Sequence, residues 1–492
     1  MTGKMRQIKD IRPRDRRFML PLLFLPCLFV LFRALDNDIW FLLNHGRYVF
    51  QNGIPQIEPF TIHRGLEFVM QQWLSACIFW STYSAFSAIG LKVLVMLCYV
   101  LTVFIVYKLC MRVSKDYFFL SFTISMAVCL LLFLFMITRP YIFLAPILIL
   151  ELYLLESYII LNKKKYLYLL PVLSVLLINL QASMWPMLFV ILVPYVIDSF
   201  KFKIGSIAGQ GYEKNSLLWA IVAMLIIGFI NPYGFKAMTY LFRSYGYKEI
   251  SLMVSEMKPP NINSIDGLLI FGSILVLVLL YSCYRKGSTK LRYILLTLGT
   301  TYMAISSGRS FLFFIICGFF PLAYYCKDIE LPIKDKAVTK KTLLLRKVLI
   351  GLIVLLLPLG AYGMDKSAKI VEHDYELLNE AILSINTQDD QSKVILYTGY
   401  NDGNLAQFQG IPSYIDTRAE VFLKSNNMKA DIMKEYIDMQ SGALYYKNVL
   451  DKYQFTHIIV TSNDILYTYL PYDKDYRIAY SNAKYTLFEK VS

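Results

Sequence analysis

A succession of apolar stretches of about 17–25 residues, separated by short basic segments, constrains this chain more than any other feature. The 492-residue sequence is 57% hydrophobic, above the roughly 45–50% usual in soluble domains. Stretches of this kind enter lipid as helices, because a helix satisfies its own backbone where no water can. The sequence therefore reads as a polytopic α-helical membrane protein. Phe18–Leu35 has a charged front but no small-residue cleavage pattern behind it, so it reads as a first membrane helix and not as a cleaved signal.

Charge sets the expected sidedness. The net charge of +15 would hint at nucleic acid in a soluble protein. Here it falls in short loops between apolar segments, which is a topology signal, and no nucleic-acid partner is expected. Lys4, Arg6, Lys9, Arg12, Arg14, Arg16 and Arg17 outnumber Asp10 and Asp15 and hold the N-terminus in the cytoplasm. Of the apolar stretches 72–88 and 91–111, the second ends in Lys108, Arg112 and Lys115, so only one of the two can cross. The Ser- and Thr-rich 72–88 is read as a helix along the outer surface, within a first outer loop 36–90. Helices near 118–138, 141–161, 166–181, 184–200, 216–231, 265–284, 292–307, 310–326 and 346–364 follow, giving about 11 crossings with the C-terminus outside. The eight cysteines all lie in apolar segments and none forms a CxxC, which supports neither a metal site nor a disulfide framework.

After Met364 the composition turns polar. Strand-like runs at Val394–Tyr397, Ser413–Ile415, His457–Thr461, Tyr476–Tyr480 and Tyr485–Glu489 alternate with helical stretches near 372–387, 427–439 and 442–453. Residues 1–364 are thus expected to form the membrane domain and 365–492 a small extracytoplasmic α/β domain.

Polar residues at membrane depth are costly and usually mark a site. Asp36, Asp38, Arg139, Asn179, Gln181, Asn231, Glu256 and Arg309 all fall at helix ends or loops on the expected outer side. Asp36 and Asp38 could act as a general base, or hold a divalent cation such as Mg or Mn beside a phosphate. Equally, Asp38 could cap the helix that follows, with Asp36 a solvated loop acid. Asn44, Arg47 and Gln51 would share that helix's polar face. Arg139 and Arg309 have the fork that suits a phosphate, yet either could snorkel among headgroups. Glu256 could orient an acceptor hydroxyl or be a surface acid. His45 and His63 lack metal-ligand spacing and read as structural. Asp416 and Arg418 could pair and dock the tail domain on the membrane part. Asp473-Lys474-Asp475 falls in a turn and carries no assignment. No Walker loop, GxGxxG, GxSxG or HExxH occurs.

Taken together, the chain resembles the GT-C class of membrane glycosyltransferases. More narrowly it is similar to a bacterial branch that opens with D-x-D-hydrophobic-W, here Asp36-Asn37-Asp38-Ile39-Trp40. Gly46-Arg47, Gly53-Ile54-Pro55, Pro59-Phe60-Thr61, Gln72-Trp73-Leu74, Arg139-Pro140, Asn179-Leu180-Gln181, Asn231-Pro232-Tyr233-Gly234, Glu256-Met257, Arg309 and Ile415-Asp416-Thr417-Arg418-Ala419-Glu420 follow in order. Three positions depart from that branch: Gln181 where it often has His, Gln72 where it has an acid, and Met257 where it has Trp. The resemblance implies a multi-pass protein of the bacterial plasma membrane. Its donor would be a polyprenyl-phosphate-linked hexose or pentose, and its acceptor a hydroxyl of a surface glycan or glycolipid. Asp38, or Asp36, would be the base, with Glu256 assisting and Arg139 and Arg309 steadying the phosphate. Arg47, Asn179, Gln181 and Asn231 would line the polar cavity. A polysaccharide polymerase or ligase using a lipid-linked oligosaccharide, and a non-catalytic flippase or scaffold, are the competing readings. A flippase would need polar residues through the full membrane depth, and the polar set found in the sequence lies on one side.

Overall fold

The computed structural model describes residues 16–17, 19–205, 207–244, 246–282, 289–327, 340–386 and 393–491, with the backbone alone at 204, 248 and 340–359. The basic N-terminal residues up to Arg14, Cys283, Arg285, Lys286 and the segment 328–339 lie outside the described residues.

Among the described residues, five helices are long and apolar enough to cross a membrane: Trp73–Ser114, Phe118–Phe135, Tyr141–Leu161, Ile265–Ser282 and Gly308–Tyr325. Leu20–Phe32, Ala182–Asp198 and Asn215–Ile227 are shorter apolar helices. Leu170–Leu180, Leu291–Ser306 and Lys340–Asn386 complete the bundle. Apart from Lys340–Asn386, these spans fall within a few residues of those expected, because long apolar runs leave little choice of boundary. Tyr141–Leu161 and Gly308–Tyr325 are central, whereas Ile265–Ser282 shows most of its apolar surface at the periphery.

The two helical stretches expected at 72–88 and 91–111 are present within Trp73–Ser114 and are separated by a break at Ser87, with φ 52° and ψ −154°. Gly90 permits the bend: a Cβ there would stand 2.5 Å from the Phe86 Cβ. Helix Ile39–Asn52 lies directly on the first half of this run. A Cβ at Gly46 would meet the Ala76 carbonyl oxygen at 2.2 Å, so only glycine allows the two backbones to approach this closely.

The helices expected at 346–364 and 372–387 are continuous, running from Lys340 to Asn386 into the C-terminal part of the chain. There a four-stranded sheet has the order β4-β5-β7-β6, with β4 Leu396–Thr398, β5 His457–Val460, β6 Tyr476–Ser481 and β7 Thr486–Lys490. β4 and β5 are parallel, and helices Ile432–Gln440 and Tyr446–Tyr453 lie in the crossover between them. β6 and β7 form the antiparallel hairpin expected at the end of the sequence. Period-two alternation sorts the strands' side chains. Leu396, Ile459 and Leu487 pack on Leu378, Ala381, Ile382 and Ile385 of the long helix. Tyr397, Ile458, Val460 and Phe488 face the opposite way, into the core that contains Met433, Tyr436, Val449 and Leu450. The strand expected at Ser413–Ile415 is reduced to isolated bridges, in which Ser413 pairs with both Leu396 and Thr61. A second sheet joins β1 Phe202–Ile204 and β2 Ile207–Gly209, antiparallel, with β3 Thr289–Lys290, parallel to β2.

A cavity of ion pairs under the C-terminal domain

The site starts where the first apolar helix ends. Arg33 leaves the helix in an extended conformation, and the chain turns through Asp36-Asn37-Asp38 into Ile39–Asn52. Asp36 sets this turn. Its backbone N–H donates to Thr138 Oγ1 at 2.9 Å, and its Oδ1 accepts from the Asp38 N–H at 3.0 Å. Asp38 stands at the N-cap of the helix but its side chain makes no capping bond. Its carboxylate points elsewhere. Arg139 sits in the tight turn before helix Tyr141–Leu161, with its N–H donating to Ile137 O at 2.7 Å.

Three carboxylates converge on that arginine. Arg139 Nε lies 2.7 Å from Asp36 Oδ1 and 3.1 Å from Asp38 Oδ2, and Nη1 lies 3.1 Å from Glu256 Oε1. Glu256 also reaches Arg309, whose Nε is 3.9 Å from Oε2 and which donates to the Tyr141 hydroxyl. The five charged residues singled out in the sequence thus form one connected cluster, from segments more than two hundred residues apart. Burial pushes the Asp38 carboxyl up to about 6, with Arg139 opposing the rise and Asp36 adding to it. Burial works against the Arg139 guanidinium, but Asp38, Asp36 and Glu256 hold it above its usual range.

Among the described residues no group of three or more His, Cys, Asp or Glu is arranged to hold a metal. The position between Asp36 and Asp38 that a divalent cation would take is filled by the Arg139 guanidinium. The donor set as folded does not fit a metal there.

Asp38, Arg139, Glu256 and Arg309 line a cavity of about 310 Å³, while Asp36 stands behind Arg139. Tyr400, Thr417 and Glu420, from the C-terminal part of the chain, also line the cavity. Thr417 donates its hydroxyl to Asp38 Oδ1 at 2.7 Å and accepts from Asn404 Nδ2 at 2.7 Å. Both Asp38 oxygens therefore have partners, one from each part of the chain.

Arg418 fixes this part of the lining. It is 5% exposed and pairs with Asp416 at 2.5 Å and with Glu58 of the first loop at 3.0 Å. A third contact runs to His45 Nε2 at 3.0 Å. Because the guanidinium only donates, His45 accepts through Nε2 and is neutral; burial and Arg418 hold it well below its ordinary range. His63, held down to about 4 by burial, bonds the Tyr414 carbonyl at 2.8 Å. Both histidines belong to the seam between the two parts.

Of the four further polar residues expected in the cavity, only Gln181 lines it. Arg47 lies in a neighbouring groove and donates to Phe408 O and Asn44 Oδ1. Asn179 ties helix ends together, accepting from Trp73 Nε1 at 2.9 Å and donating to Ile230 O. Asn231 closes its own turn, accepting from the Tyr233 N–H at 2.8 Å. Asp473 and Asp475 of the DxD triplet pair with Lys447.

The sequence reading missed a second buried cluster. Arg292, Glu156 and Asp198 are all fully buried, with Arg292 Nε 2.8 Å from Glu156 Oε1 and Nη1 2.8 Å from Asp198 Oδ2. Tyr195, Tyr293 and Gln210 complete it. Glu156 lies about 22 Å along helix Tyr141–Leu161 from the cavity end. Fully buried Glu151 lies between, with no hydrogen bond to either carboxylate oxygen. Polar groups are therefore not confined to one side. Two glutamates inside one apolar helix were the available signal.

No family model matches the chain, and no curated protein matches its sequence. Solved structures do match. ArnT from Cupriavidus metallidurans bound to undecaprenyl phosphate superposes with a TM-score of 0.57 at 11% identity, over 98% of this chain and 99% of that one. The archaeal oligosaccharyltransferase AglB from Archaeoglobus fulgidus, in complex with an inhibitory peptide and a dolichol-phosphate, gives 0.57 at 12% identity, over 92% and 70%. Apo ArnT gives 0.56 at 11% identity. The chain has the GT-C fold that its sequence motifs resemble.

Proposed function

We propose that the protein is a glycosyltransferase of the outer face of a bacterial plasma membrane. It moves a sugar from a polyprenyl-phosphate-linked donor to a hydroxyl of a surface glycan or glycolipid. The N-terminus is cytoplasmic and the C-terminal domain extracytoplasmic. One observation carries this reading: a carboxylate poised near neutrality and two guanidinium groups share one cavity, in a fold whose neighbours hold undecaprenyl phosphate and dolichol-phosphate.

The chemistry needs a base for the acceptor and positive charge for the leaving group. Asp38 takes the proton of the acceptor hydroxyl. The acceptor oxygen bonds to the anomeric carbon, the bond from that carbon to the phosphate oxygen breaks, and the electron pair leaves with the lipid phosphate. An acid with a pKa about 6 is well matched to this task. Arg309, whose nearest carboxylate is Glu256 at 3.9 Å and which donates to the Tyr141 hydroxyl, is less fully paired with acids than Arg139 and meets the developing phosphate charge. Arg139, shared among three carboxylates, meets it as well. Asp36 is a positioning residue that holds Arg139 and the turn. No step in this scheme passes through a metal.

The test compares surface glycans by mass in cells with the wild-type protein, no protein, or the Asp38→Asn variant, with membrane levels matched. Loss of the same sugar residue in the deletion and in Asp38→Asn is the expected result. A wild-type glycan in the Asn variant would remove Asp38 from the chemistry.

A further inference from the structure

Two glutamines that line the cavity each hold a side-chain oxygen with no hydrogen-bond partner among the described residues. Gln181 is 3% exposed and Gln72 is half-buried, and the oxygen of each is buried. Buried polar groups in folded proteins are nearly always paired, so two glutamines with orphaned oxygens in one cavity point to a ligand. Their main chain, by contrast, is held tightly. The Ala182 N–H donates to Gln71 O at 2.9 Å, and the Ser183 N–H to Gln71 Oε1 at 3.2 Å. Ser75 Oγ donates to Leu180 O at 2.7 Å, and Trp73 Nε1 to Asn179 Oδ1 at 2.9 Å. These four bonds stitch 71–75 to 179–183, the two segments from which Gln72 and Gln181 line the cavity. Such a frame fixes the backbone on which both glutamines stand.

The chemistry of the wall narrows the ligand. An amide offers a donor and an acceptor and no charge, which matches a hydroxyl group, itself both donor and acceptor. Met257 supplies an apolar surface to the same cavity, suited to the C–H face of a sugar ring. Asp38 and Glu256 pair with Arg139, and Glu256 also reaches Arg309, whereas Gln72, Gln181 and Met257 bring no charge to the cavity. From this we infer that Gln72 and Gln181 form the subsite that reads the hydroxyls of a neutral hexose, the transferred sugar of the donor. The donor ring is the one that must rest in the cavity with its anomeric carbon beside Asp38. This assignment rests on the transferase reading above.

Calorimetric titration of the full-length protein in detergent tests it. The probes are a short-chain polyprenyl phosphate alone and the same lipid phosphate carrying glucose, mannose, galactose, glucosamine or glucuronic acid. At least one neutral hexose should strengthen binding about tenfold over the bare lipid phosphate, and the amine and acid forms should not. Gln181→Leu and Gln72→Leu should each remove about tenfold from the sugar's contribution, while leaving bare lipid phosphate within about twofold. Gln181→Asn, which keeps an amide, guards against misfolding, and its melting temperature should equal that of the wild type. Neutral hexoses that add nothing to lipid phosphate, or Leu variants that keep the full sugar contribution, overturn the inference alone. Failure of bare polyprenyl phosphate to bind overturns the transferase reading and this subsite with it.

Discussion

Two clusters in this molecule have almost the same inventory and opposite situations. At one end Arg292 serves Glu156 and Asp198, and every charged side chain is fully buried. At the other, Arg139 serves Asp36, Asp38 and Glu256, with side chains between 18% and 44% exposed around an open cavity. In the sealed cluster Arg292 also has Gln210, and Glu156 has Tyr195 and Tyr293, while Asp198 Oδ1 has no hydrogen-bond partner among the described residues. The cluster can fasten helices Tyr141–Leu161, Pro186–Asp198 and Leu291–Ser306, and nothing can enter to use its charge. The open cluster keeps a carboxylate and a guanidinium facing space. An arginine among acids is therefore not a functional sign by itself; access decides.

The comparison breaks or sharpens at definite points. The largest expected effect is on chemistry: Asp38→Asn should lower the transfer rate by about 10²–10⁴-fold in a purified assay, with the melting temperature unchanged. Equal loss of stability would make the open cluster a staple like the sealed one. Next, Glu156→Ala should cost about 3–5 kcal/mol of stability, because it removes the carboxylate that accepts from both Nε and Nη2 of a buried guanidinium and leaves it Asp198 and Gln210, both at Nη1. Thermal unfolding in detergent measures this, and activity per folded molecule should be kept. Third, transfer should fall about tenfold per pH unit below about 6, since Asp38 must be ionised to take a proton and burial has raised its pKa to that value. Thr417→Val removes a hydrogen bond to the ionised form, so the midpoint of that pH profile should move upward. The smallest effect belongs to the exposed pair Lys236–Glu67 at 2.7 Å. Lys236→Ala should change stability by less than about 1 kcal/mol.

Much of the open cluster was legible in the sequence. Asp36, Asp38, Arg139, Glu256 and Arg309 all sit at helix ends, and alternation of the apolar segments assigns those ends to one side. Thr417 was not legible as a partner of Asp38, because 379 positions separate them and no local pattern encodes the meeting. Arg418 was foreseen as a docking residue paired to Asp416, but its partners Glu58 and His45 were not. The sealed cluster went unread for a different reason. Arg292 opens an apolar helix beside Lys290, where a basic residue passes as ordinary loop charge. The helix break at Ser87 was anticipated only as a boundary between two apolar stretches, since a positive φ at serine has no sequence signature of its own.

The sequence by itself determined that this chain is a helical membrane protein with a polar α/β tail, and which residues stand at helix ends. Those properties follow from runs of apolar residues and from period, which are local. Tertiary structure alone decided which arginine faces a cavity, which is sealed, and which residue of the tail reaches Asp38. Those depend on how helices pack, and packing brings together residues whose separation in the chain carries no information about their distance. The same holds for Gln72 and Gln181: each is an ordinary glutamine in the sequence, and only the fold leaves both amide oxygens unpaired, among the described residues, in one space.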